Sequence, residues 1–459
     1  MDKKKATKSK GFNDLLPVGG EADVVVIGSG CAGIAASLAA CRKGANVILV
    51  ERYPFLGGMS TLIPIASWPL NTAVEIGELD MPYDGLLGEI LDRMKALNAI
   101  ELDIYKEAVD KFTPLAGEND KVATSKWYVF DPEALKYLYF DMLREAGVKL
   151  RVNSLLVDTI VRDNKIEAVV VETLTRRELI KGKIFIDCTG SADVVARSGA
   201  EAVLGTGDDD GVPAGLFMPT MTTFRVAGVD TDNVDMDEAA KIYERHRLKG
   251  EINVPVEGIS WHIPCKGVVQ ICSTRVFDIN PLDPERAALG EMETRRQIRD
   301  ITNFFKKEIP AFRDCQLINT GVSIGMIGTR RIRGDYFITQ QDIIDARKFE
   351  DAIATGTTRL EVWELDGQGC YFNHLVGTWY TIPYRSLLPK GLDNVLVAGS
   401  CISGQIIAMA TWAVMPMCFK TGQAAGTAAS LCVKGNAWPR DISIAELQRI
   451  LQADGVFLG

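Results

Sequence analysis

Gly28, Gly30 and Gly33 stand in the run Gly28-Ser29-Gly30-Cys31-Ala32-Gly33, and Glu51 follows Gly30 by 21 residues. Glycines at these offsets each permit something a side chain would prevent. The first allows a tight turn, the second lets a pyrophosphate approach the backbone, and the third lets a helix pack closely on a strand. N–H groups at the start of a helix there would meet phosphates with the positive end of its dipole. A carboxylate at Glu51 can accept hydrogen bonds from a ribose. The pattern points to a bound dinucleotide; by itself it does not separate FAD from a nicotinamide.

Elements that could hold these residues flank them. Residues 23–27 read DVVVI, a continuous apolar run suited to a strand buried on both faces of a parallel sheet. The Ala-rich IAASLAACRKG suits a helix ending at Gly44, and NVILV a second strand ending at Glu51. Further on, Asp131 and Pro132 suit the N-cap and first position of a helix. Its apolar face is Leu135, Leu138, Tyr139, Met142 and Leu143, and Gly147 ends it. Three strand-like runs follow near 148–161, 166–174 and 178–187, with turns at Asp163-Asn164 and Arg176-Arg177. Residues 394–399 form a short buried strand ending in glycine. A helix from about Pro416 carries Gly422, Gly426 and Ser430 at four-residue intervals. Such a stripe of small residues most often means close helix packing.

Composition narrows the classes. The 459 residues are 47% hydrophobic with a net charge of −9, and the pI is about 5.2. That supports a large packed core and argues against a broad basic surface for nucleic acid. The basic start MDKKKATKSK lacks an apolar segment after it, so it reads as a solvated tail rather than a secretory signal. No uncharged apolar run is long enough to span a membrane. The ten cysteines include no C-x-x-C pair and there are three histidines, so no metal or iron–sulfur site is expected. Buried reduced thiols in a cytoplasmic protein are the expectation.

The segment VIGSGCAGIAASLAACRKGANVILVERYPFLGGMST resembles the opening of the glutathione-reductase-type FAD fold. More closely, it is similar to the broad FAD-dependent oxidoreductase family with its ER…LGG signature. Asp187-Cys188-Thr189-Gly190 resembles the family's D-x-T-G turn, residues 328–336 its arginine-rich turn, and 382–387 its approach to the last strand of the FAD sheet. The resemblance implies an α/β fold: a Rossmann-like FAD-binding domain with a three-stranded meander and an inserted α+β cap. The implied division is a flexible tail at 1–20, a discontinuous FAD domain at 21–75, 131–205 and 375–436, a cap at 76–130 and 206–374, and an extension at 437–459. The implied FAD contacts are Gly28, Gly30, Cys31, Ala32, Gly33, Glu51 and Arg52 in the first unit, and Gly57, Gly58, Met59 and Ser60 in the second glycine-rich turn. Leu156, Val157, Thr189, Gly190 and Asp193 follow, then Gly399, Ser403, Pro416 and Thr421. Asp193 reads equally well as a helix cap.

The implied activity is hydride transfer between FAD and an organic small molecule. A flavin-dependent hydroxylase and a flavin subunit serving a protein redox partner are the alternatives. An external electron donor or acceptor and a homo-oligomer stay open as partners. No second dinucleotide fingerprint is found. Gly205–Gly211, with three adjacent acids, reads as a solvated loop, with a calcium site as the alternative. Arginines 275, 295, 296, 330, 331 and 333 read mainly as surface or ion-pair residues. After the AGxCxS turn many relatives look like S-x-D-H with a later Arg; this chain has Gln405, Ile406 and Ala413 there, with Trp412 adding bulk. A less polar flavin face, with Trp412 contributing to it, is therefore expected, and an acid–base group from elsewhere. His374 and Tyr371 are the candidates, with Arg330 orienting an anionic or carbonyl group.

Overall fold

The computed structural model describes residues 16–63, 67–71, 84–108, 122–255, 259–325, 328–358, 360–363, 370–373 and 378–459. Its centre is a seven-stranded sheet. Strand Val18–Ile27 lies between the parallel strands Val47–Val50 and Arg177–Asp187, and Lys149–Arg151 extends the sheet beyond Val47–Val50. Strand Arg177–Asp187 does two jobs. Its first half pairs antiparallel with Lys165–Glu172, which pairs with Leu155–Arg162; its last residues pair parallel with both Val24–Ile27 and Val395–Val397. The apolar runs read from the sequence are buried here: Val24, Val25, Val26, Ile184, Phe185, Ile186 and Val395–Val397 are all core residues.

The run expected at 148–161 is two strands, Lys149–Arg151 and Leu155–Arg162. Asn153 between them has φ +50°, which breaks the extended backbone and lets the chain leave the parallel edge for the meander. The Asp163-Asn164 turn has positive φ at both residues, the geometry that matches the twist of a tight hairpin. The second turn falls at Thr173–Arg176, with Arg177 already in the strand.

Helix Pro132–Ala146 forms as expected: the Asp131 side chain accepts from the Glu133 N–H, and Gly147 closes the helix with φ +84°. Helix Met415–Gly435 runs along helix Cys31–Arg42. A Cβ on Gly422 would come within 2.2 Å of the Ala32 carbonyl, and one on Gly426 within 2.2 Å of that of Ala36. The small-residue stripe is therefore the seam between these two helices. Helix Gly85–Ala96 and the C-terminal helix Ile444–Ala453 join the same core through Leu87, Ile90, Leu91, Leu447 and Leu451. Lys420 and Asp84, both buried, form an ion pair at 3.0 Å, and Asp84 also accepts from the Phe457 N–H.

A second core belongs to residues 224–315. The sheet Trp261–Cys265, Val268–Ile271, Phe224–Ala227 and Gln316–Thr320 packs there with helices Met236–Leu248 and Pro284–Glu308 around Phe224, Tyr243, Ile301 and Phe305. A third sheet joins Ser67–Asn71, Val122–Phe130 and Ile100–Ala108. No described helix is long and apolar enough to cross a membrane.

Candidate active-site cleft

The parallel strands end in register at Ile27, Val50, Asp187 and Val397, so Gly28, Glu51, Cys188 and Ala398 emerge at one end of the sheet. In open α/β sheets, that carboxyl end is where ligands bind. A cavity of about 440 Å³ opens there and borders all four residues. Ligand sites commonly enclose about 300–1,000 Å³.

One wall is backbone. Gly28 has φ +95°, and a Cβ on it would sit 2.5 Å from the Cys188 carbonyl. A Cβ on Gly33 would sit 1.8 Å from the Gly28 carbonyl, so the helix can approach the turn only as glycine. The second glycine-rich turn is pinned to the first, since the Gly57 N–H donates to the Ser29 carbonyl at 2.9 Å. Ser60 Oγ donates to the Gly57 carbonyl. Glu51 accepts from the Ser29 N–H and hydroxyl through one oxygen and from the Tyr53 N–H through the other. Its carboxylate is thus held in place at the rim while bordering the cavity.

The D-x-T-G turn is organised by Asp187. Its carboxylate accepts from the Thr189 N–H and hydroxyl and from the N–H groups of Val194 and Val195. Burial pushes Asp187 above the usual carboxylate range, while the bonds from Thr189 pull it back. Asp187, not Asp193, therefore caps the helix Asp193–Arg197. Asp193 lies at the cavity between the guanidinium groups of Arg330, at 2.9 Å, and Arg197.

Much of the remaining lining is soft. Met59, Met218, Met221, Met409 and Met415 border the cavity, with Ala410, Ala413 and Val414 between the last two. Trp412 is not in this wall: it is fully buried against Gly404, and its indole N–H donates to the Ser400 carbonyl. The apolar surface therefore comes from small side chains and thioethers rather than from the indole. Arg275 reaches the same wall; its Nη1 donates to the carbonyls of Cys272 and Thr274 and touches Met221 Sδ at 2.9 Å. Thiols also border the space. Burial pushes Cys31 up to about 12 and raises Cys188 and Cys418 as well.

Of the expected residues, Gly28, Gly30, Cys31, Ala32, Glu51, Arg52, Gly58, Met59, Leu156, Thr189, Gly190, Asp193 and Gly399 border the cavity. Gly33, Gly57 and Ser60 belong to the same turns but are not among the cavity residues. Thr421 Oγ1 accepts from the Gly399 N–H, and Ser403 Oγ from the Gly334 N–H, so both shape the floor rather than face it. Pro416 is the second residue of helix Met415–Gly435, and Val157 lies beside Leu156 in the meander. Arg330 is committed to Asp193 and the Ser191 carbonyl, and it is not among the cavity residues. His374 lies outside the described residues; only the backbone of Tyr371 is described, in strand Cys370–Asn373.

The loop expected to be solvated at Gly205–Gly211 is only partly so. Asp208 and Asp209 are exposed, but Asp210 is buried. It pairs with buried Arg331 at 3.0 Å and accepts from the Ile406 N–H that opens helix Ile406–Trp412. A buried charge needs such a partner. Arg295 and Arg296 hold Glu291, Glu293 and Asp300, the ion-pair role expected of them. Residues missed from the sequence include Ser67, Arg275 and the methionines at 218, 221 and 409, which come together from distant segments without any periodic signal.

Residues 23–451 match the family model described as FAD dependent oxidoreductase. Over 113 residues the chain is 33% identical to the NADH:acrylate oxidoreductase of Vibrio harveyi, a match covering 24% of this chain and 11% of that protein. Over 80 residues it is 36% identical to the 3-oxosteroid 1-dehydrogenase of Mycobacterium tuberculosis, covering 16% and 14%. These matches therefore span only a small part of either relative. Among solved structures, a geranylgeranyl bacteriochlorophyll reductase-like protein from Thermoplasma acidophilum aligns over 95% of this chain and 84% of its own, with 12% identity and a TM-score of 0.49.

Proposed function

Because the chain belongs to the FAD dependent oxidoreductase family, with FAD as its cofactor, we propose that it transfers a hydride between that cofactor and an apolar organic molecule bearing one carboxylate or carbonyl group. The observation that carries this is one cavity lined by two unlike kinds of surface: glycine backbone with Glu51, and methionines with Arg275.

The residues present fit FAD. The Gly28–Gly33 turn offers unobstructed backbone and a helix start whose N-cap, Gly30, has no side chain to occupy the N–H groups. Glu51 is held where a ribose could donate to it, and Leu156, Thr189, Gly399 and Met415 would flank the rest of the cofactor. FAD, when bound, supplies a two-electron centre that takes or gives a hydride. The chain's task is to orient the substrate, exclude water and manage the proton. The methionines accommodate irregular apolar shapes. The Arg275 guanidinium would fix the polar end, as charged donors do for carboxylates. The names of the two curated relatives pair hydrogen transfer with an acrylate and an oxosteroid, in keeping with this class.

The test is anaerobic mixing of the FAD-loaded protein with a panel of saturated and unsaturated carboxylates and ketones. Substrate-specific bleaching or recovery of the flavin absorbance is expected. Protein that retains FAD but exchanges electrons only with another redox protein would overturn the small-molecule reading.

A further inference from the structure

We propose that Ser67 and His262 form a proton relay into the substrate side of the cavity, an inference that rests on the hydride-transfer reading above. Ser67 opens strand Ser67–Asn71, is 1% exposed and borders the cavity. Its Oγ lies 2.8 Å from Nε2 of His262, which is 7% exposed on strand Trp261–Cys265. The pair is 195 residues apart in sequence and bridges two different sheets. Hydride chemistry on carbon leaves or requires a proton, and a serine hydroxyl alone is a poor acid or base near neutral pH. An imidazole, with an ordinary value of about 6.5, supplies what the hydroxyl lacks.

A cation faces His262 through one intervening side chain. Gln270 sits directly across from His262 and Arg225 directly across from Gln270. Arg225 Nε donates to Gln270 Oε1 at 3.2 Å. Among the described side chains, the ionisable groups around His262 are Arg225 and Cys265 of its own sheet, Cys272 just after strand Val268–Ile271, and Tyr128 of strand Val122–Phe130, while Asp131 and Glu133 at the start of helix Pro132–Ala146 act on Arg225. Arg225 is the permanent charge, and a nearby cation disfavours imidazolium. His246, by contrast, sits on helix Met236–Leu248 beside Glu251, in the second core's outer layer.

In the dehydrogenating direction the substrate loses two hydrogens. One leaves as hydride to the cofactor. The other leaves as a proton to Ser67 Oγ while the hydroxyl proton of Ser67 passes to His262 Nε2, leaving imidazolium. Reduction of a substrate runs the same path backwards. Charge and protons balance within the substrate, the cofactor, Ser67 and His262. Ser67 is the residue that meets the substrate; His262 acts through it.

The experiment compares Ser67→Ala, Ser67→Thr and His262→Gln in the FAD-loaded protein, using an organic substrate that bleaches the wild type. FAD content and melting temperature are measured first. Ser67→Ala and His262→Gln should keep FAD and slow flavin bleaching by about 10²–10⁴-fold. Ser67→Thr should recover most of the rate. The double variant should be no slower than either single one, as expected of groups acting as a unit. A readout independent of turnover is ¹⁵N-histidine NMR of the FAD-loaded protein, assigned with His246→Gln and His374→Gln. His262 should be neutral at pH 8 and should gain a proton as the pH is lowered to 5. A His262 that stays neutral throughout, or variants that bleach at the wild-type rate at every pH, would overturn the relay while leaving the function standing. If no organic molecule bleaches the wild type, the functional reading fails first.

Discussion

The two walls of the cavity are made of different material. The wall around Gly28, Gly33 and Asp187 is backbone at contact distance, fixed by hydrogen bonds within short stretches of sequence. The wall around Met218, Met221, Met409 and Arg275 is made of long side chains delivered from separate segments. A cofactor that never varies can be held by parts with no freedom. A substrate side that must be shaped to a particular molecule is better built from thioethers, which repack at little cost. The contrast is one of tolerance, and substitutions on each side measure it.

The largest effect is expected at Gly33→Ala. Its methyl would lie 1.8 Å from the Gly28 carbonyl, so the helix must retreat from the turn. Stability should fall by at least the upper part of the range of about 1–3 kcal/mol typical of overpacking. The ratio of flavin to protein absorbance should collapse as well. Full FAD retention would mean that the rigid wall is softer than its geometry implies.

Asp187→Asn comes next. The carboxylate accepts from four donors, and an amide in its place turns one acceptor into a donor facing N–H groups. A loss of about 2–3 kcal/mol is expected from the buried groups left unsatisfied. Urea titration monitored by tryptophan fluorescence reads it, and a midpoint equal to wild type would remove Asp187 from the rigid wall.

In the softer lining Arg275→Gln should cost about 1–2 kcal/mol of stability, for its bonds to the Cys272 and Thr274 carbonyls, and lower kcat/KM for a carboxylate substrate. Losing a charged hydrogen bond worth about 1.5–3 kcal/mol corresponds to roughly a ten- to hundredfold decrease. An equal loss for an uncharged analogue would show that the guanidinium does not read the polar end. Met218→Leu should be the mildest change, under about 1.5 kcal/mol in stability, with a shift in preference among substrates of different shape. A loss as large as that of Gly33→Ala would erase the distinction between the walls.

The same contrast decides what the sequence could reveal. The glycine turn was legible because its close backbone contacts, at Gly28 and Gly33, fall within six adjacent residues. Helix Pro132–Ala146 was legible because its cap, apolar stripe and terminal glycine all lie within one segment. The break at Asn153 was not, because an apolar run conceals where the chain changes neighbours. Asp210 looked solvated among its acidic neighbours; its partner Arg331 is 121 residues away. Trp412 looked like part of the cavity face because sequence position does not say which way a buried ring points. The methionines, Arg275 and the Ser67–His262 pair lack any periodicity or motif, so only the folded chain brings them together.

The thiols at the cavity have a consequence for how this protein ages. Turnover of flavins in air releases hydrogen peroxide, and peroxide attacks thiolates far faster than thiols. Cys31, Cys188 and Cys418 are kept protonated by their burial, so the chamber is lined with sulfur in its unreactive form. Among the described thiols, Cys265 is the exposed one, on the strand that carries His262. During storage under oxygen, sulfenic acid should accumulate first at that outer position, and the chamber should outlast the surface.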